Sequence, residues 1–140
     1  MEFEAPEAAP KANLTDLVEG DVQRQLRRDP ASGEVVLTLR ADIDATDEPA
    51  VWRVDDIDLE RGHGVIQRFS IRDDDPLSAR GEVVHNTVAR RGDWHVRVRT
   101  RVGLRSTRDH FHLEAELDAW EGHANVVSRR WDRSVRRTRV

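Results

Sequence analysis

From residue 34 onward apolar and polar residues alternate with a period of two, the pattern of strands with one dry face and one wet face. The clearest segment runs from Trp94 to Leu104. Trp94, Val96, Val98, Val102 and Leu104 hold its even positions, with Thr100 among them, while His95, Arg97, Arg99 and Arg101 hold the odd ones. The next run sets Phe111, Leu113, Ala115, Leu117 and Ala119 on one side against His110, His112, Glu114, Glu116 and Asp118 on the other. Both segments predict half-buried strands.

Pairing the two runs tests the reading. With Ser106 to Asp109 as the loop and Arg105 facing His110, Leu104 meets Phe111, Val102 meets Leu113 and Val98 meets Leu117. On the opposite face Arg101 then meets Glu114, Arg99 meets Glu116 and Arg97 meets Asp118. Each such pair contributes about 0.2–1 kcal/mol, with exposed ion pairs at the low end. Their larger effect is on register, because a one-residue slip would carry every arginine onto the apolar face.

Neighbouring segments extend the sheet. Ser78 to Arg90 leads through an Arg91-Gly92 hairpin, where glycine supplies a positive φ. His63 to Arg72 reaches the turn-forming run Asp73-Asp74-Asp75-Pro76. Beyond the acidic strand, a three-residue loop at Glu121-Gly122-His123 leads into Ala124 to Asp132 and sets Trp131 beside Leu113 and Arg130 beside Glu114. Upstream, Val35, Leu37 and Leu39 alternate, and Val51 to Leu59 supplies another strand. The expected fold is mainly β, an antiparallel meander of about six or seven strands, forming an open or partly closed sandwich- or barrel-like sheet.

The remaining segments divide the chain. Residues 1–12, with Pro6 and Pro10 among Ala and Glu, read as an extended linker. Residues 13–33 read as irregular chain or a short helical turn around Leu14, Leu17 and Val18, ended by Gly20. Residues 34–133 form the antiparallel β module, and 134–140 a basic tail. No strong amphipathic helix is available to cover the apolar side. The sheet must close on itself, or another domain or chain must cover it.

Composition sharpens that choice. The chain has 140 residues, of which 37% are hydrophobic and 36% charged; average domains have about 45–50% and about 25%. Only a thin core is available. Net charge is −4, which disfavours nucleic acid and anionic lipid as partners. Lys11 is the one lysine among 23 basic residues. No cysteine is present, so disulfide and thiolate chemistry are excluded. The acidic N-terminus carries no apolar run, so neither a signal peptide nor a membrane span is expected, and a cytoplasmic location follows.

Candidate chemistry is sparse. The serines at 32, 70, 78, 106, 128 and 134 lie outside any G-x-S-x-G elbow, the frame that an α/β-hydrolase nucleophile needs. His110 and His112 share a strand face at a spacing that can bind metal, yet no third ligand is fixed by the pattern. His85 reads as a hydrogen-bonded core histidine, and His63, between glycines, as part of a turn. Asp42, Asp44 and Thr46 imitate the start of a calcium loop, but Asp47 and Arg53 replace the glycine and glutamate it requires. Asp55, Asp56, Asp58 and Glu60 read as the wet side of a strand or loop. The segment Arg129 to Arg139, with six arginines and Trp131, offers charge and a stacking ring, but Trp131 already belongs to the apolar face. No catalytic, cofactor-binding or metal-binding residue is assigned.

Several stretches, in order, resemble the C-terminal region of the CocE/NonD hydrolases, the X-Pro dipeptidyl-peptidase-like acyl hydrolases related to cocaine esterase. Phe69-Ser70-Ile71-Arg72-Asp73-Asp74-Asp75-Pro76-Leu77-Ser78-Ala79-Arg80 is similar to a segment near that C-terminus. Arg91-Gly92-Asp93-Trp94 looks like the hairpin before its long strands. The run His110 to Gly122 resembles its penultimate strand, with Trp120 where the family often has Tyr, and Ser128-Arg129-Arg130-Trp131-Asp132 its final one. Phe3 to Pro10 is similar to the linker that introduces the region. Ser134-Val135-Arg136-Arg137-Thr138-Arg139 departs from the Ile-Pro-Arg-Asp-like run common in the family.

The resemblance implies a non-catalytic accessory module. In the family, the catalytic Ser, Asp and His belong to an α/β-hydrolase domain to which nothing in this chain corresponds. The expected function is that of a fragment or split partner, not itself an enzyme, with no cofactor. Its partner is a serine-hydrolase catalytic domain, or a second copy through the apolar face. The alternative is a stand-alone β-barrel binding a small apolar ligand, which requires a closed lumen of a few hundred Å³.

Overall fold

The computed structural model describes residues 10–44 and 46–138. Most of the expected linker over 1–12, and the last two residues of the expected basic tail, lie outside the described residues. Among the described residues nine strands form one antiparallel sheet. They are β1 (Leu14–Val18), β2 (Asp21–Arg28), β3 (Glu34–Ile43), β4 (Ala50–Val54), β5 (Leu59–Arg72), β6 (Asp75–Arg91), β7 (Trp94–Ser106), β8 (His110–Glu121) and β9 (Ala124–Arg136). A single 3-10 turn at Asp55–Ile57 joins β4 to β5.

The nine strands occupy only seven positions across the sheet. β1 pairs with β4 and β2 with β3, so β1 and β2 run end to end along one edge. β3 and β4 likewise share one side of β5, against residues 65–72 and 59–63 respectively. From β5 to β9 the chain is an up-and-down meander. The two edges do not pair with each other, so the sheet is not closed. A mainly β antiparallel meander was expected, and that is the architecture found.

Two segment boundaries differ from expectation. Residues 13–33 form strands β1 and β2 rather than a helical turn or irregular chain. The helical spacing of Leu14, Leu17 and Val18 is too short to hold a helix by itself, and the β4 ladder offers its backbone groups partners. A bulge between Asp16 and Val18 accommodates the non-alternating pattern. β2 is exposed along its whole length, and an edge strand with no dry side leaves little periodicity to read. At the other end β9 continues to Arg136, opposite His110, where a tail was expected from residue 134.

The hairpins also shift register. β7 and β8 are joined by residues 107–109, not Ser106–Asp109, which puts Arg105 opposite His112 and Leu104 opposite Leu113. Thr107 N–H donates to the His110 carbonyl (2.8 Å), closing that loop. The displacement is two residues, so both faces survive it. The turn at Gly92 keeps its expected two residues but moves along by one, and the turn at Gly122 is tighter than expected. Gly92-Asp93 joins Arg91 to its partner Trp94, and Gly122-His123 joins Glu121 to its partner Ala124. Their glycines adopt φ of 55° and 56°, which two-residue hairpin loops favour.

Register fixes the two faces. One carries the rows Val35–Ile71, Leu37–Phe69–Gly81–Leu104–Leu113 and Leu39–Gln67–Val83–Val102–Ala115–Trp131. The other carries Thr38–Arg68–Glu82–Gly103–Glu114–Asp132 and Arg40–Ile66–Val84–Arg101–Glu116–Arg130. The buried core is small: Ile43, Val51 and Val88, 2%, 6% and 4% exposed, gather on the second, charged face, and Ala50, 9% exposed, lies opposite His63 on the other. It forms where the chain crosses over from β3 to β4 alongside β5. Glycines at 62 and 64 permit that crossing. A Cβ on Gly62 would overlap the Ala50 carbonyl oxygen and lie 2.9 Å from Val88 Cγ2, and one on Gly64 would lie 2.6 Å from Ile43 Cγ1.

Candidate functional site

The apolar face is left about as open as the charged one, although burial of apolar surface favours covering it. Phe69, Ile71, Leu104, Phe111, Leu113 and Trp131 are between 38% and 47% exposed. Across the sheet, Glu82, Arg101, Glu116 and Asp118 are only half-buried, because long side chains lie over one another. Arg101 Nε donates to Glu82 Oε2 at 2.7 Å. Arg105 and Glu114 approach to 3.7 Å, and so do Arg130 and Glu116. Arg97 lies over the Trp120 ring, 4.4 Å from its centroid. The charged face is thus partly paired within itself, with partners displaced from the expected ones by the change of register.

The chain exposes 11026 Å², whereas a compact monomer of its 16.1 kDa would expose about 7,400 Å². The surplus, about 3,600 Å², exceeds the roughly 800 Å² that each partner buries in a standard interface. On the apolar face a groove of about 450 Å³ runs between Val35, Leu37, Phe69, Leu104 and Phe111. Its floor lies at Gly81, where a Cβ would meet only the Phe69 ring, at 3.4 Å. The missing side chain opens the groove.

The other candidate residues are dispersed. His110 and His112 lie with ring centroids 6.2 Å apart, but their ladder neighbours are Arg136 for the first and Arg105 and Ser134 for the second. Among the described residues no cluster of three or more metal-ligating side chains occurs. Asp44, from the imitation calcium loop, spends its carboxylate on its own turn. Its Oδ1 accepts from Thr46 N (2.7 Å), Thr46 Oγ1 (2.8 Å) and Glu48 N (3.0 Å). The Thr46 bonds hold that carboxyl below its ordinary range. Asp55 is lowered likewise by Arg53 and by the Thr15 hydroxyl, which ties β1 to the end of β4. Ser78 accepts from Arg72 N (2.7 Å) and donates to the Asp75 carbonyl (2.6 Å), a turn-closing role.

Two histidines differ from their sequence readings. His85 is exposed on the apolar face, not a core residue. His63 sits within β5, not a turn, and its Nε2 lies 3.1 Å from Asp42 Oδ2, with the Trp52 ring edge-on at 5.4 Å. This acid–base pair went unseen because Asp42 and His63 are far apart in sequence and meet only at the strand crossing. The ladder neighbours of His63 are Ala50 and Thr87. No serine stands beside it in the ladder, so the pair lacks the nucleophile of a hydrolytic triad there.

The geometry defines a class, an open single-layer antiparallel β module with one charged face partly paired within itself and one uncovered apolar face. Comparison with models of protein families, with curated proteins and with solved structures finds no match. Among the described residues no helix is long and apolar enough to cross a membrane.

Proposed function

We propose that this chain is a non-catalytic accessory module that packs its apolar sheet face onto the body of a serine hydrolase of the CocE/NonD, X-Pro dipeptidyl-peptidase-like type. One observation carries the docking half of the reading: large apolar side chains left open, with Leu104 at 47% and Phe69 at 40% exposed, on the face that alternation marks as dry. The ordered similarity of residues 69–80, 91–94, 110–122 and 128–132 to the C-terminal region of that family supports the choice of partner. A barrel for an apolar ligand is less favoured, because the edge strands β1/β2 and β9 do not meet to enclose a lumen.

The test is titration of the whole chain into a CocE/NonD catalytic body that ends before its own C-terminal β region. A one-to-one complex is expected, with loss of solvent exchange at amides of β6–β8. A stable monomeric chain that forms no such complex overturns the reading.

A further inference from the structure

We infer that the apolar face is built for a protein surface whose apolar ridge is bordered by carboxylates, and not for a second copy of this chain. The inference rests on the docking reading and adds the chemistry of the partner. Its basis is a sorting of charge between the two faces. The chain has more acidic than basic residues, 27 against 23, yet the upper rows of the apolar face contain no carboxylate. From Val35–Ile71 down to Val65–His85–Thr100–Leu117, the ionised residues in register with that face are Arg24 and Arg28 on β2 and Arg129 and Arg133 on β9. Arg137 adds a fifth cation, 5.0 Å from the centroid of the Phe111 ring. Arg28 is already answered by Asp73. Among the described residues, none of Arg24, Arg129, Arg133 and Arg137 has an ion-pair partner.

A second copy fits badly. In a face-to-face dimer with two-fold symmetry each face meets its own likeness. With the upper rows of one copy laid over those of the other, arginines find no carboxylate, since Asp16 and Glu121 stand only in the lower row through Trp52, Arg61 and Val96, and like charges brought into an interface disfavour it. A carboxylate-bordered partner would instead answer the flank of Arg129 and Arg133 around Trp131. An anionic bilayer offers the same charge but the wrong shape. The groove between Leu37, Phe69, Leu104 and Phe111 is concave, about 450 Å³, and takes a protruding ridge of side chains.

Two helical peptides with the same leucine stripe, one flanked by glutamates and the other by lysines, would probe this by calorimetry against the full chain. The glutamate peptide is expected to bind on the order of tenfold more tightly at low salt, with the gap narrowing as salt screens it. Arg129→Glu combined with Arg133→Glu should reverse that preference. Both positions are exposed on an edge strand, and the milder Arg129→Gln, Arg133→Gln variant should erase the preference if the reversal disturbs the fold. Equal binding of the two peptides, binding of neither, or preference for the lysine peptide overturns the inference. So does tighter binding to phosphatidylglycerol vesicles, or dimerisation at micromolar concentration in sedimentation equilibrium. If the catalytic body fails to bind but the glutamate preference holds, only the partner's identity falls. If that body binds the arginine-reversed variant as tightly as the original chain, docking stands and this inference falls.

Discussion

Gly62→Ala tests whether the strand crossing, rather than the alternating face, holds the isolated chain together. A Cβ there would overlap the Ala50 carbonyl oxygen and sit 2.9 Å and 3.0 Å from methyl groups of Val88 and Val51, against an optimal carbon separation of about 3.5–4.0 Å. Neither the oxygen nor the β-branched side chains can swing clear, because Ala50 is fixed in the ladder opposite His63. Relief requires β4 to move off β5, which re-exposes Val51, now 6% exposed. Overpacking of this kind costs about 1–3 kcal/mol, and full exposure of one valine about 1.5–3 kcal/mol, so a loss of about 2–3 kcal/mol is expected. Gly103→Ala is the control. Nothing lies within 4 Å of its added Cβ, and alanine in a strand gains about 0.5–1 kcal/mol over glycine. Urea unfolding followed by tryptophan fluorescence measures both, and hydrogen exchange should show β1 and β4 opening first in Gly62→Ala. If the two variants differ by less than about 0.5 kcal/mol, within the spread of inert surface changes, the crossing is not the core.

Other outcomes follow from the same contacts. Glu82→Ala removes the carboxylate that Arg101 contacts at 2.7 Å, and because both side chains are partly exposed the loss should be only about 0.5–1 kcal/mol, measured by a double-mutant cycle with Arg101→Ala. Gly92→Ala and Gly122→Ala place a Cβ on residues at φ 55° and 56°, so each should cost about 1–2 kcal/mol in thermal unfolding. Burial holds the His95 imidazole below its ordinary value of 6.5, with help from Arg90 and Arg97. A depressed histidine favours the folded state above its unfolded value. That contribution should fade as pH falls below 6.5, and His95→Asn should flatten this part of the stability–pH profile.

Much of this fold was legible because alternation is strong in β3, β7 and β8, where one face is dry enough to leave a period-two signature. Face assignments there survive a two-residue error in register, since Leu104 stays on the apolar side whether it meets Phe111 or Leu113. Loop length was harder to read, because Ser106 and Thr107 are as polar as any turn residue and the choice depends on backbone bonds such as Thr107 N–H to the His110 carbonyl. β1 and β2 were obscured by their edge position. The Asp42–His63 pair and the core of Ile43, Ala50, Val51 and Val88 were out of reach for a different reason. They depend on a crossing between segments that each read as ordinary strand or loop. Gly62 and Gly64 were its signal, and flanking a histidine they read as a turn. The open apolar face was legible as a sheet with no helix to cover it, whereas its exposure and charge sorting required the register.

How strongly the apolar face could hold a partner follows from what it still exposes. Phe69, Ile71, Val102, Leu104, Phe111, Leu113 and Trp131 retain 38% to 47% exposure. Complete burial of such a side chain is worth about 1.5–3 kcal/mol, so covering the remainder yields about 4–9 kcal/mol for the seven together. Bringing two separate molecules together costs about 4–15 kcal/mol in lost freedom. The two terms nearly cancel, so apolar contact alone cannot make a tight complex between separate chains. Either the arginine flank around Trp131 meets carboxylates and tips the balance, or the partner is covalently tethered, which replaces association with an effective concentration in the millimolar range. Fusing the chain by a flexible linker to the catalytic body separates these cases. Tethering should rescue docking of the Arg129→Glu, Arg133→Glu variant if covalent linkage suffices, and should leave it undocked if charge complementarity is required.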